Sequence, residues 1–424
     1  MISKKEDADI ERQWKEWTQL NDPDTFEDID SEELKDLIIR DLTFVNQMEV
    51  NEYLLYQKWF SMQKLFPAHT MRTLYGVERQ LVDINEKFEI EAVKNNIWTP
   101  KDPEEYLDLK PILIHSDEQE YKNVVSKLCL FLSSGERGHN NIGRNLGYII
   151  ADEVTGKYLG VNMLSSDYLD LAARDKYIGW DKKLKTMEKI NHTCVGSRIV
   201  PTQPLGFNYT GGKLCALMCL ADPVQERWKE KYGDVLVGVT TTSFFGKAKA
   251  HGLSQYDGLK HWKKMGYSKG SVSFEPNKDT IQLIVKWLKK NHTRKYFEWY
   301  HAQNAQGQPY KRDHRNRSYS FTYSKLGVPR NLVSTFHQRG IYFAPLYKNT
   351  NEYLRGEISE DQLVKEIDTS VDALANLWKE KYAKKRINSL IKQDRVSSEG
   401  LFYDELLYMN WEETKERYLG DIGR

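Results

Sequence analysis

The stretch from Arg174 to Phe274 constrains the fold more than any other part of the chain. Cys194-Val195-Gly196-Ser197-Arg198-Ile199-Val200 reads as a strand, and it runs into a loop rich in Pro, Gly and Asn from Pro201 to Gly212. A helix is predicted from Lys213 to Tyr232, stopped by Gly233 and Asp234. Val235-Leu236-Val237-Gly238-Val239 then reads as a strand buried on both faces. Strand, glycine loop, helix and parallel strand make a βαβ unit, so the expected fold class is α/β. The loop between the first strand and the helix is where such a unit receives an anionic ligand.

At 424 residues the chain is long enough for two or three cores. Its 62 Lys and Arg almost balance its 61 Asp and Glu, and that balance hides a segregation. Residues 6–36 hold 13 acidic and 3 basic side chains, whereas residues 286–330 hold 11 basic and 2 acidic ones with nine aromatics among them. Charge separated in this way speaks about partners. No apolar run reaches the 18 residues of a membrane span, and the first residues lack an apolar signal region. Four cysteines (129, 194, 215 and 219) with no CxxC pair predict a reducing cytoplasm, no disulfide scaffold and no metal site.

Around the central block the chain divides into four expected parts. Residues 1–110 read as a helical N-terminal domain: Asp30 and Ser31 precede a Glu-rich first turn and then Leu34, Leu37 and Ile38. The run from Phe44 to Phe66 continues as helix to Pro67, and Val77 to Ile97 as another. Residues 111–275 form the α/β core. Within it, Ile112–His115 is a short apolar run, Tyr121–Leu132 a helix and Ser133–Asn140 an exposed turn. Gly147–Val154 and Lys157–Met163 make a hairpin about Thr155-Gly156. Residues 276–350 are the basic, aromatic segment, ending in the strand-like Phe336–Tyr347. Residues 351–424 are helical: Ser359-Glu360-Asp361-Gln362 is a capping box, and Val364, Ile367, Val371, Leu374 and Trp378 form one apolar stripe behind it. The helical ends, acidic at the N-terminus, are candidate contacts for a protein partner.

Several residues can carry chemistry. Gly206, Thr210, Gly211, Gly212 and Lys213 stand where unpaired amides at a helix start would meet a pyrophosphate, although glycines also serve an ordinary turn. Arg198, late in the strand before that loop, is a candidate phosphate ligand of bidentate geometry. Arg174 and Asp175 read either as a structural ion pair or as ligand contacts. Lys289, Lys290, Arg294, Lys295, Lys311, Arg312, Arg315, Arg317 and Lys325, interleaved with Tyr296, Trp299, Tyr310, Tyr319 and Tyr323, suit a nucleic acid: cations neutralise phosphates and aromatic faces stack on unpaired bases. The competing reading is a solvated basic face over an aromatic core.

Three blocks carry a family resemblance: Arg174-Asp175-Lys176-Tyr177-Ile178-Gly179-Trp180; Asn191–Pro201 with Ser197-Arg198-Ile199-Val200-Pro201; and Trp262, Gly266, Ser268 and Gly270. Together they resemble the DruA family of the Druantia anti-phage system and, more distantly, the Mom DNA-modification family of phage Mu. That resemblance spans about residues 111–275. It implies a GNAT-like central sheet flanked by helical regions, an acyl donor such as acetyl-CoA as cofactor, and a bacterial or phage origin. By the same resemblance Tyr256 is the candidate proton donor to a leaving thiolate, with Tyr267 second to it, and Ser243 is a hydrogen-bond donor. Where the family often has Glu and Asp about the second strand, this chain has Thr240-Thr241-Thr242-Ser243.

Three functions are therefore expected. The first is Mom-like acyl modification of a DNA base at the adenine exocyclic amine. The second is a DruA-like DNA-binding component of a defence or counter-defence system whose core is a non-catalytic scaffold. The third is a structural or virion-associated protein. A cofactor-sized cleft beside Tyr256 favours the first, and a Gly206–Lys213 loop sealed by its own helices favours the second.

Overall fold

Residues Tyr148 to Ala151 set the centre of the fold, because each neighbour in that run faces an opposite apolar layer. Tyr148 and Ile150 join a core with Trp228, Tyr209 and Trp378, while Ile149 and Ala151 join another with Val125, Leu128 and Cys129. A strand alternates its faces, so this pattern requires helices on both sides of a sheet. The computed structural model describes residues 4–63, 89–117, 122–132, 143–243, 254–268, 272–273, 275–305, 307, 310, 314–335, 338–398 and 402–420. Contacts group the chain into two units, Met1–Glu49 with Gly270–His337, and Val50–Lys269 with Gln338–Arg424.

The smaller unit opens with α1 (Lys4–Leu20) and α2 (Ser31–Asn46). The Asp30 carboxylate accepts the Glu33 N–H at 2.7 Å, which caps α2 as its sequence predicts, and Leu34, Ile38, Leu42 and Val45 are buried along one face. In the larger unit α3 (Val50–Gln63) packs Trp59 against Trp411. Residues 64–88 lie outside the described part, so the helix expected over Val77–Ile97 is described only at its end, Ile90–Asn95. The turn at Ser133–Asn140 lies outside it as well.

The larger unit continues with β1 (Pro111–His115), α4 (Lys122–Leu132), β2 (Asn145–Asp152), β3 (Tyr158–Ser166), α5 (Ala172–Ile178) and β4 (Thr193–Pro201). Three helices follow, α6 (Leu205–Tyr209), α7 (Gly211–Met218) and α8 (Asp222–Tyr232), before β5 (Gly238–Ser243) and β6 (Lys263–Tyr267). The chain then returns to the smaller unit for β7 (Val272–Ser273), α9 (Lys278–Asn291), α10 (Thr293–Tyr300), α11 (His314–Leu326) and β8 (Ser334–Thr335). It ends in the larger unit with β9 (Gly340–Pro345), α12 (Thr350–Leu354), α13 (Val371–Trp378), α14 (Lys384–Lys392) and α15 (Trp411–Tyr418).

Seven strands form one mixed sheet in the order β1-β2-β3-β4-β5-β9-β6, and β7 and β8 pair separately. The fold is thus α/β, a mixed sheet with flanking helices. The hairpin predicted about Thr155-Gly156 is β2–β3, with Gly156 at φ 68°, and the parallel pair predicted across the βαβ unit is β4–β5. Its helical link differs from expectation. Thr210 takes φ 53° and divides α6 from α7, and Pro223 opens α8, so the expected single helix from Lys213 to Tyr232 is two, and most of the expected loop before it, Leu205–Tyr209 with Gly211 and Gly212, is helical. The second strand also lies three residues later than its most apolar run: Val235–Val237 are buried before the strand begins, and Gly238–Ser243 pair with β9 along their whole length.

The apolar stripe from Val364 to Trp378 does not make one helix. The capping box at Ser359 forms, but it caps only the 3-10 turn Glu360–Gln362. Beyond it the Lys348 N–H donates to the Val364 carbonyl at 2.9 Å, and Asp222 accepts from Lys365 Nζ and Thr369 Oγ1 at 2.6 Å each. These tertiary hydrogen bonds hold residues 364–369 out of the helix. A second cap, Ser370 accepting the Ala373 N–H, starts α13 instead. Val364 is half-exposed as a result.

Candidate functional site

The parallel pair at the centre of the sheet holds together at one end only. β4 and β5 pair at Thr193↔Gly238, Cys194↔Val239 and Val195↔Thr240; beyond these, β4 stays with β3 and β5 with β9. Backbone groups on the facing edges must then find other partners. Thr241 Oγ1 donates to the Gly196 carbonyl at 3.0 Å. Gln255 Nε2 donates to the Ile199 carbonyl at 3.2 Å and to the Tyr256 hydroxyl at 2.9 Å. Lys213 Nζ, from the first turn of α7, donates to the carbonyls of Gln255 and Asp257 at 2.8 Å each. The segment Ser254–Asp257 is thereby fastened to β4 on one side and to α7 on the other.

This arrangement closes the loop singled out in the sequence. Gly211 and Gly212 are buried. A Cβ on Gly212 would lie 2.1 Å from Gln255 Oε1, and one on Gly211 2.9 Å from Leu205 Cγ and 3.0 Å from Pro201 Cβ. A Cβ on Gly206 would meet Gln203 Nε2 at 2.5 Å. The glycines therefore admit neighbouring side chains of the same chain, and the Lys213 N–H is taken by the Thr210 carbonyl at 2.8 Å. Burial pushes the Lys213 ammonium down to about 8, against the opposing field of Asp257. An acyl donor's pyrophosphate needs open amides at a helix start. The residues present do not fit that group.

Tyr256 is buried between Trp262 and Tyr342, with ring centroids 5.3 and 5.1 Å away. Burial pushes its phenol well up, so it holds its proton more tightly than a free tyrosine. Ser243 ends β5 opposite Gly340, and Arg198 sits half-buried in β4 opposite Met163; neither is brought to Tyr256 by a described contact. Tyr267 lies at the end of β6 and is partly exposed.

Arg174 and Asp175 belong to an ionic cluster beneath α5. The Arg174 guanidinium is fully buried, 2.7 Å from Asp167 Oδ1, and it donates to Asp175 Oδ1 from Nε at 3.0 Å and from Nη2 at 2.7 Å. It also donates to the Tyr168 carbonyl at 2.7 Å and lies 5.1 Å from the Trp180 ring. Lys185 Nζ reaches Asp175 Oδ2 at 2.7 Å, and Thr240 Oγ1 donates to Asp167 Oδ2 at 2.8 Å. Burial pushes the Asp167 carboxyl up, opposed by Arg174 and by the hydroxyls of Thr240 and Thr193. Arg174 Nη1 makes its contact with Asp167 as an ion pair without hydrogen-bond geometry, and the buried charge set as a whole fastens α5 to β5. The sequence reading missed Asp167, Gln255 and Asp257; the only local signal for the last two was their adjacency to Tyr256.

In the smaller unit the basic segment meets the acidic one. Arg294 bonds Glu11 at 2.6 Å and Glu298 at 2.9 Å, and Lys286 lies 2.8 Å from Glu27. Lys290 Nζ donates to the carbonyls of Pro23 and Asp24 at 3.1 and 3.2 Å, while Lys289 lies 4.0 Å from the Phe26 ring centre. Lys295 and Lys325 flank the Phe321 ring at 5.3 and 5.6 Å. Arg317 is exposed on α11; Lys311 and Arg312 lie outside the described residues, as does the side chain of Arg315. Trp299, Tyr319 and Tyr323 are buried, Tyr296 is half-buried, and Tyr310 donates to Asp9 at 2.7 Å. These aromatics build the unit's own core.

All four cysteines are buried thiols, and burial pushes Cys129 up to about 11. Among the described residues no three His, Cys, Asp or Glu side chains are grouped to hold a metal ion, and no helix is long and apolar enough to cross a membrane.

Comparison with known proteins gives one family. The family model described as "Druantia protein DruA" matches residues 114–356, which takes in all three sequence blocks and the basic segment. A curated protein of that description from Escherichia coli (strain UMEA 4076-1) is 24% identical over 236 residues, covering 53% of this chain and 56% of the relative. The chain thus spans about half the length of the curated relative it matches. No solved structure matches.

Proposed function

Because this chain belongs to the DruA family, we propose that it is a nucleic-acid-binding component of a Druantia-type anti-phage defence system, with its α/β unit acting as scaffold. The closed strand gap carries the choice between this reading and Mom-like acyl transfer. Gln255 occupies the space against Gly212, and Lys213 is spent on the carbonyls of Gln255 and Asp257. A GNAT-like donor site would have to lie there. The DNA reading rests on α9–α11, whose Lys289, Lys295 and Lys325 form no ion pair among the described residues and lie over rings that hold their stems.

Binding through those cations has a distinct signature. Each phosphate neutralised contributes about 0.9 to the slope of log affinity against log salt. Fluorescence anisotropy of the purified chain on duplex and single-stranded DNA, between about 50 and 200 mM salt, is expected to show a steep salt dependence. Replacing Lys289, Lys295 and Lys325 together by Glu should weaken binding and flatten that slope. Salt-insensitive binding, or a variant indistinguishable from the natural chain, removes α9–α11 from the proposal. Mass spectrometry of nucleosides from cells expressing the chain addresses the scaffold: a new base adduct would overturn it.

A further inference from the structure

We infer that the face of α9 and α10 takes a single nucleic-acid strand, and that the N-terminal arm, residues 9–27, covers that face by standing in for the strand. The inference rests on the nucleic-acid reading and adds to it the kind of strand and what competes with it. Arm and face belong to one unit. Four successive Lys and Arg residues of the face meet the arm. Glu27 holds Lys286 at 2.8 Å and Glu11 holds Arg294 at 2.6 Å. Between these two pairs the Pro23 and Asp24 carbonyls accept from Lys290, and Lys289 lies over the Phe26 ring. Carboxylate and carbonyl oxygens thus occupy the places that phosphate oxygens would take on the same cations.

The aromatic contacts select a single strand. Trp14 and Trp17 of α1 stack on each other, with ring centroids 5.6 Å apart and planes 16° apart. The pair lies on α10: Trp14 is 5.2 Å from Phe297, and Trp17 is 5.6 Å from His301 and 6.3 Å from Tyr296. Arg294 adds a cation 5.1 Å from the Trp14 ring. Two stacked bicyclic rings flanked by carboxylates present what two stacked bases and their phosphates present. Aromatic side chains can receive a base in this way only where its face is free, which a single strand offers and a paired duplex does not.

The arm rests on the unit by a narrow stripe. Among the described residues of α1 only Ile10 is buried, and Leu20 at its end is 86% exposed. The cluster it enters has Ile10, Phe297 and Ala302 as its buried members. Its polar ties, Tyr310 to Asp9 and Gln13 to Gln303, are ones that water can replace. By contrast α2 buries Leu34, Ile38, Leu42 and Val45, and Asp41 accepts from Thr280 Oγ1 at 2.6 Å and from the Asn277 N–H at 3.0 Å. An element that buries few apolar groups opens at a lower free energy than the body it lies on. A strand can therefore displace α1 while α2 keeps α9 in place. Glu298, on α10 itself, stays 2.9 Å from Arg294 when the arm leaves and tempers that one cation.

Hydrogen exchange of the full chain with and without an oligothymidylate, read by mass spectrometry, tests it. On binding, the amides of residues 4–20 should lose protection, those of α9 and α10 should gain it, and α2 should keep its own. Trp14→Ala with Trp17→Ala loosens the arm and leaves every Lys and Arg in place. That variant should bind the oligonucleotide about ten-fold tighter, because a larger fraction of the chain presents the open face, and a duplex of the same length should gain less. A bound strand with α1 protection unchanged or raised, or unchanged or weaker binding by the variant, would overturn the inference while the nucleic-acid reading stands. An equal gain for the duplex would overturn the choice of a single strand. No binding of either nucleic acid by either protein at about 50 mM salt would remove the nucleic-acid reading and the inference together.

Discussion

Asp167 and Arg174 show how a residue's surroundings decide its role. Adjacent Arg174 and Asp175 read from sequence equally as an ion pair or as ligand contacts, and the structure pairs them in the interior through a third residue seven positions upstream of Arg174. Removing one member of such a set leaves a charge unpaired and buried, at a cost of about 3–5 kcal/mol. Asp167→Ala is therefore expected to lower the unfolding free energy read from urea titration by that amount, and Asp167→Leu with Arg174→Met to recover most of it. A small loss in Asp167→Ala would show that water reaches the guanidinium. His192 gives a pH prediction. Its Nδ1 lies 2.9 Å from the Val235 carbonyl, and burial lowers its pKa below 6.5, with Val235 and Asp234 acting the other way. The unfolded chain then takes up the proton first, so this residue's contribution to stability is complete above about 6.5. It falls as pH drops through that value and levels off below the folded pKa. Urea midpoints from pH 8 to pH 5 should trace this fall, with a shallower slope in His192→Gln.

At the scale of elements, close approach rather than propensity fixes the packing of β3 and β4 on α7. Gly160 in β3 leaves room that a Cβ would fill, 2.4 Å from Cys215 Sγ and 2.8 Å from the Val200 carbonyl oxygen. Gly160→Ala should cost roughly 1–3 kcal/mol through overpacking, since a backbone oxygen yields less readily than a side-chain tip. An unchanged thermal midpoint would mean that α7 can slide. Element identity was largely legible: β1, α4 and the β2–β3 hairpin follow from short apolar runs, a helical run and Thr155-Gly156. The stripe from Val364 to Trp378 misled because its spacing is helical while its first residues are engaged by Lys348 and Asp222, partners far away in the sequence.

For the whole molecule, the linear order of charge differs from the spatial one. The acidic residues 6–36 and the basic residues 286–330 lie at opposite parts of the sequence, yet they belong to one unit and pair through Glu11–Arg294 and Glu27–Lys286. Part of the positive charge offered to a phosphate backbone is thus already engaged. Glu11→Gln and Glu298→Gln, which together release Arg294, combined with Glu27→Gln, which releases Lys286, should free two cations, tighten DNA binding and steepen its salt slope by roughly 1.8, which is two phosphates at about 0.9 each. An unaltered slope in the anisotropy titration would place those two cations away from the nucleic acid.

The sequence by itself determined the α/β class, the parallel pair across residues 193–243, and the three blocks by which the chain belongs to its family. Each of these is written in local periodicity or in short spacings, which a single strand or turn expresses without help. Only the tertiary structure decided that the glycine loop is closed, that Arg174 is enclosed, and that Tyr177 and Lys263 meet. The closed loop and the meeting of Tyr177 with Lys263 depend on contacts between residues tens of positions apart. Loop closure over such distances is settled by which side chains can fill the same space, and no local pattern records that.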